Sequence, residues 1–171
     1  MKRLLAVSIV LALAGCSGGP SSPSAGRGTK KSADAATTVA AIRAVGKSGA
    51  ELDVQPLRDP QVQDLRDHAE SFEAQGKTRQ AEALVDQALA ISVEDPDLLQ
   101  WKAELAVYRK DWAGAETLAT RSYERGPKLG GLCRRNWATI QHARGVRGDA
   151  AGAATAKQKI DACTVMPPVR M

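Results

Sequence analysis

The sequence is short of the residues on which most catalytic and metal chemistry depends. Of its 171 residues only 4% are aromatic, with a single Phe, and there are two histidines and three cysteines. His68 and His142 each lack a second ligand-type residue at metal spacing, and the cysteines form no CxxC pair, so neither a metal nor a redox dithiol is expected. No stretch alternates apolar and polar residues over strand length, which excludes a sheet. Without strands there is no strand–loop–helix setting for a phosphate-cradling glycine loop: Gly130-Gly131 and Gly145–Gly148 join helical segments. No apolar run reaches the roughly 20 residues that span a bilayer. No nucleophile, base and orienting group can be assembled, so no enzyme is expected and no cofactor is implied.

What is present begins with a charged and then apolar N-terminus. Lys2 and Arg3 precede an apolar run from Leu4 to Ala14, broken only by Ser8. This is the layout of a secretory signal peptide, assigned to residues 1–15. The string Leu13-Ala14-Gly15-Cys16 resembles the lipobox of bacterial lipoproteins. That resemblance implies diacylation of the Cys16 thiol, cleavage before it and acylation of the new amino group; several acyl chains hold a protein that one holds only reversibly. The alternative is an ordinary signal peptide with a chance cysteine. Ser17 stands where an Asp would imply inner-membrane retention, so the resemblance implies an outer-membrane anchor facing the periplasm.

The formal net charge of +5 is unevenly spread. Residues 17–50 carry five basic residues against one acidic, whereas residues 51–171 carry 17 against 18. The body of the chain is therefore near neutral, which argues against a nucleic-acid-binding domain. Residues 16–50 hold Cys16 and a Gly-, Ser-, Ala- and Lys-rich stretch expected to be a disordered linker, although the alanines with Val39, Ile42 and Val45 allow a short helix over Ala33 to Val45. A flexible tether of about 34 residues has a root-mean-square span of roughly 30–35 Å and a limit of about 110 Å. Its basic residues suit a membrane or an anionic polymer such as peptidoglycan, or simply a solvated linker. Residues 51–60, with two prolines, read as an extended lead-in.

From Gln61 the pattern turns helical and repeats. Leu65, Ala69 and Phe72 return 34 residues later as Leu99, Ala103 and Ala106, while Ala81, Val85 and Ala88 return as Ala115, Ala119 and Ser122. A period of 34 residues is that of the tetratricopeptide repeat, a helix–turn–helix unit. Turns are expected at Gln75-Gly76-Lys77 and Arg109-Lys110-Asp111-Trp112. Ala81 and Ala115 fall where two helices cross at close range. Pro96 opens the second unit and Pro127 closes it. A third, weaker unit has Trp137 and Ile140 on its first helix, a turn at Gly148-Asp149 and Ala153 as its crossing alanine. The expected fold is all-α: about three tetratricopeptide-like helix–turn–helix repeats over residues 61–163 in a short right-handed solenoid, with a tail at 164–171.

With Cys16 acylated, Cys133 and Cys163 remain as an even pair in an oxidising compartment. They fall at the start and end of one antiparallel hairpin, so a disulfide is the favoured reading. Two buried free thiols and a redox pair are the alternatives.

In tetratricopeptide domains the first helix of each unit lines a concave groove that receives a partner segment. Carried onto matching positions, the resemblance implies a partner-binding groove of Arg66, Glu70 and Glu73, then Gln100, Glu104 and Tyr108, then Arg135 and His142. For each of these an ordinary solvated helix face is the plain alternative. His68 is expected to pack inside its unit, acidic pairs such as Glu70/Glu73 to be solvated, and Trp101 to be partly exposed. Residues 51–120 hold 7 basic and 15 acidic residues and residues 121–171 hold 10 and 3, a polarity that could orient a partner.

The lipobox, the tether, the lead-in "LDVQPLRDP" and the repeats "LLQWKAELAVYRKDWAGAETLATRS" and "NWATIQHARGVRGDAAGA" together resemble the small tetratricopeptide lipoproteins of Gram-negative bacteria. These include outer-membrane activators of class A penicillin-binding proteins, the bifunctional peptidoglycan synthases. The resemblance covers about 100 residues plus the anchor, and implies a non-catalytic protein that binds and activates such a synthase. A pilotin-type assembly lipoprotein and a structural wall-associated lipoprotein are the alternatives.

Overall fold

The computed structural model describes residues 26–49 and 57–164, with side chains from Asp34 onward. Seven helices and no strand are found among them: α1 (Gly26–Gly46), α2 (Pro60–Ala74), α3 (Thr78–Ile91), α4 (Pro96–Arg109), α5 (Trp112–Arg125), α6 (Gly131–Val146) and α7 (Ala150–Ala162). Helices α2 to α7 form three successive hairpins, the expected repeat architecture. The signal peptide, Cys16, most of the lead-in and nearly all of the C-terminal tail lie outside the described residues. Within them, no helix is long and apolar enough to cross a membrane.

Aspartates set the starts of four helices. The carboxylates of Asp59, Asp95, Asp111 and Asp149 accept from the backbone N–H of Gln61, Leu98, Gly114 and Gly152 at 2.8–3.0 Å. These satisfy N–H groups that the first helical turn leaves without partners. In α2 and α4 the capping aspartate is followed by proline, whose fixed φ and missing N–H suit the first helical position. Asp-Pro therefore marks the start of units one and two.

Packing follows the repeat. Ala81 and Ala115 are fully buried where the paired helices cross. Val62, Ala69, Val85, Ala88, Leu98 and Leu105 form a core between units one and two, and Ala103, Ala119, Ile140 and Ala156 form one between two and three. In α7 the fully buried alanine is Ala156, whereas the expected crossing residue Ala153 is only partly covered. Among the described residues no further repeat stacks on α7, and much of its surface faces outward. The third hairpin is closed instead by a Cys133–Cys163 disulfide, with Cα atoms 5.7 Å apart.

The expectation of a disordered linker through residue 50 fails for α1. This helix lies in the groove between α4 and α6 and buries Ala35, Val39 and Ile42. Val39 and Ile42 pack with Ala106, Val107, Ala115 and Ala138, beside Val45, Tyr108, Trp112 and Ile160. The polar composition of the segment concealed this, because a single narrow apolar stripe suffices when a ready-made groove receives it. At its C-terminus α1 meets the start of α6 almost backbone to backbone. A Cβ on Gly131 would stand 2.8 Å from the Gly46 carbonyl oxygen, so this approach requires glycine. The buried Arg134 donates to the carbonyls of Val45 (3.2 Å) and Gly46 (2.8 Å), placing a cation on the negative end of the α1 dipole.

Candidate functional site: a basic cleft beside a self-filled groove

The groove expected to receive a partner is occupied over units two and three by the chain's own α1. Its contacts are specific. Arg43 donates from Nε to Glu104 Oε2 (2.7 Å) and from Nη2 to Glu73 Oε2 (3.1 Å), so one guanidinium joins α1 to α2 and α4. Burial works against this charge, but Glu104 and Glu73 outweigh it, and the Arg43 pKa is held above the ordinary guanidinium value. The Glu104 side chain has no exposed surface. Its Oε1 accepts from Arg135 Nε (2.9 Å) and Nη2 (2.7 Å) and from Gln100 Nε2 (3.0 Å). Gln100 also donates to Thr139 Oγ1 (2.8 Å). Such a buried carboxylate is tolerable only because it is paired and hydrogen-bonded.

These facts correct the expected groove. Gln100 and Glu104 are fully buried and present no surface to a partner while α1 is seated. Glu73 is not a solvated acid either: its side chain is 9% exposed and it also accepts from Trp101 Nε1 (2.7 Å) and Tyr108 Oη (3.4 Å). Burial and then the Glu73 charge raise the Tyr108 pKa, so the phenol stays a donor. Trp101, expected to be partly exposed, is buried through this bond, and His68, expected inside its unit, is exposed. His142 stands apart from the others, on the far side of α1. There it makes an edge-on contact with Trp112 (centroids 5.4 Å apart) and lines a separate cleft with Ile42, Val45 and Ala138.

What stays open is a cleft of about 630 Å³ among α1, α2 and α4 that reaches the start of α6. It gathers five of the eight expected groove residues: Arg66, Glu70, Glu73, Tyr108 and Arg135. Arg43, Lys47, Arg58, Asp97 and Trp101 join them, none of which was a sequence-level candidate. Arg43 and Lys47 fall in the supposed tether and Arg58 in the lead-in. Only the pairing of an Arg with an apolar helical stripe in residues 34–47 could have pointed to them. Arg66 lies over the face of Trp101, its Cζ 5.3 Å from the ring centroid. Its Nη1 is buried without a hydrogen-bond partner among the described residues. Burial, and then the nearby charge of Arg58, lower its pKa from the usual value. Arg58 is itself paired with Asp97 at 3.1 Å.

Neither the protein-family models nor the curated proteins contain a match to the chain. Among solved structures it is similar to the globular C-terminal domain of P. aeruginosa LpoP. The match has 30% sequence identity and a TM-score of 0.57, and covers 61% of this chain and 99% of that domain.

Proposed function

This chain belongs to the LpoP family of small tetratricopeptide lipoproteins, and from that premise we propose that it is a non-catalytic, periplasm-facing activator of a peptidoglycan synthase. One observation carries the reading: the match to the LpoP domain extends over 99% of that domain at 30% identity. The site agrees with it. The open cleft is lined by guanidinium, carboxylate and aromatic groups suited to holding a polypeptide segment. The partner on this reading is a class A penicillin-binding protein, engaged through the repeat domain. Cys16 carries the lipid that anchors the chain to the outer membrane, and the Cys133–Cys163 bond holds the last hairpin closed.

Glycan-chain synthesis by the cognate synthase, measured with and without the purified protein, tests the functional reading. A several-fold stimulation together with co-purification is expected; no stimulation and no binding would sink it. Thiol labelling of denatured, unreduced protein addresses the disulfide. Cys133 and Cys163 should stay unlabelled until a reductant is added.

A further inference from the structure

The open cleft is electrically unbalanced. Of its three carboxylates, Glu73 already accepts from Arg43, Trp101 and Tyr108, and Asp97 is paired with Arg58; only Glu70 is exposed. Of its cations, Arg43 and Arg135 are committed to Glu104 and Glu73. Arg66 is not committed in this way. Its guanidinium lies over Trp101, Nη1 has no hydrogen-bond partner among the described residues, and the charge of Arg58 acts on it beside the weaker influence of Asp97, Asp95 and Glu70. A guanidinium with an unmet buried N–H beside a like charge is stabilised by an anion, and a carboxylate matches its two-pronged donor geometry. Lys47, exposed just past the end of α1, adds a second positive charge. The volume of about 630 Å³ falls in the range of ligand-binding clefts. Tyr108 and Leu132 give it apolar surface between the charges.

We propose that this cleft binds an extended acidic segment of the protein partner, with one carboxylate of that segment seated on Arg66 beside Arg58. The inference rests on the partner-binding reading above and adds the chemistry of what is bound. Because α1 supplies Arg43 and carries Lys47 just past its end, the site is complete only when α1 is docked. The carboxylate is that of an Asp or Glu side chain; the end of the partner chain is the competing source.

Three fluorescent decapeptides separate these sources: an amidated peptide with three Glu, the same peptide with Gln in their place, and the Gln peptide with a free C-terminal carboxylate. Each is titrated into the full mature chain in detergent, at low and high salt. Arg66→Gln and Arg66→Lys variants are measured alongside, with far-UV circular dichroism to confirm folding. The Glu peptide should bind at least about tenfold more tightly than the amidated Gln peptide. Arg66→Gln should remove that preference, Arg66→Lys should keep part of it, and salt should weaken it. A preference for the free C-terminus instead would assign the carboxylate to the chain end. Equal binding of all three peptides, no binding of either carboxylate peptide at millimolar concentration, or a preference undiminished in folded Arg66→Gln overturns the proposal. The two readings fail separately. Stimulation of the synthase without acidic preference leaves the activator and removes the cleft, whereas acidic preference without stimulation does the reverse.

Discussion

At Glu104 two guanidinium groups and an amide converge on one carboxylate with no exposed surface. Glu104→Ala strips Arg43 and Arg135 of that partner while they remain largely covered. Their side chains keep 35% and 26% exposure, so the cost falls at the lower end of the range for a broken buried pair, about 3 kcal/mol. Urea denaturation of the variant measures it. Lys110 illustrates a different local rule. The turn inside each hairpin needs one left-handed residue, supplied by Gly76 (φ 74°) and Gly148 (φ 84°) in units one and three but by Lys110 (φ 62°) in unit two. Lys110→Gly should stabilise the protein by about 1 kcal/mol, read from the same denaturation curves. The turns were legible from sequence because glycine announces this geometry. Unit two was legible only through its register with unit one, since a lysine does not. Glu73 and Glu104 were named as groove residues from their helix positions. Their burial was not legible, because it depends on Arg43, 30 and 61 residues away.

Among the elements, α1 departs most from its composition. Residues 17–50 read as a solvated tether, and the short helix allowed over Ala33 to Val45 was the only hint of order. Its three buried apolar side chains, Ala35, Val39 and Ile42, lie on one face at helical spacing. Such a stripe is too sparse to mark a helix against a background of Ala, Thr and Ser, and becomes meaningful only once α4 and α6 supply the surface it fits. Ile42→Ala should destabilise the whole domain by about 2–4 kcal/mol, the range for truncating a buried Ile, measured by thermal or urea unfolding. A solvated tether would show no change. The six later helices were legible because their 34-residue register repeats itself and because turn residues and the prolines Pro96 and Pro127 mark their edges.

For the whole molecule, the acidic first half and basic second half look like a device for orienting a partner. Much of that charge is used internally: Glu116 pairs with Arg144 and Arg147, Glu104 with Arg135, and Glu94 with Arg121 and Arg125. The first two sets staple unit two to unit three, so the polarity serves stacking before it serves recognition. Global stability should also carry the signature of His142, whose pKa is lowered by burial. A base with a depressed folded pKa binds fewer protons folded than unfolded, so stability is full above the unfolded value near 6.5. It declines as pH falls from there towards the folded value. Unfolding free energy measured between pH 7.5 and pH 5 should show this decline, and His142→Gln should flatten it. Were Cys16 followed by slack chain as far as residue 50, an anchored domain could range about 110 Å from its lipid. On the proposed anchoring at Cys16, the ten residue steps from there to the start of α1 at Gly26 could reach no more than about 35 Å. Such a leash would be short, and it would be fastened to the element that completes the cleft. On that reading a pull on the anchor would load α1 first, from the Ala35, Val39 and Ile42 contacts to the Arg43 junction, so lateral load and occupancy of the cleft would be mechanically joined.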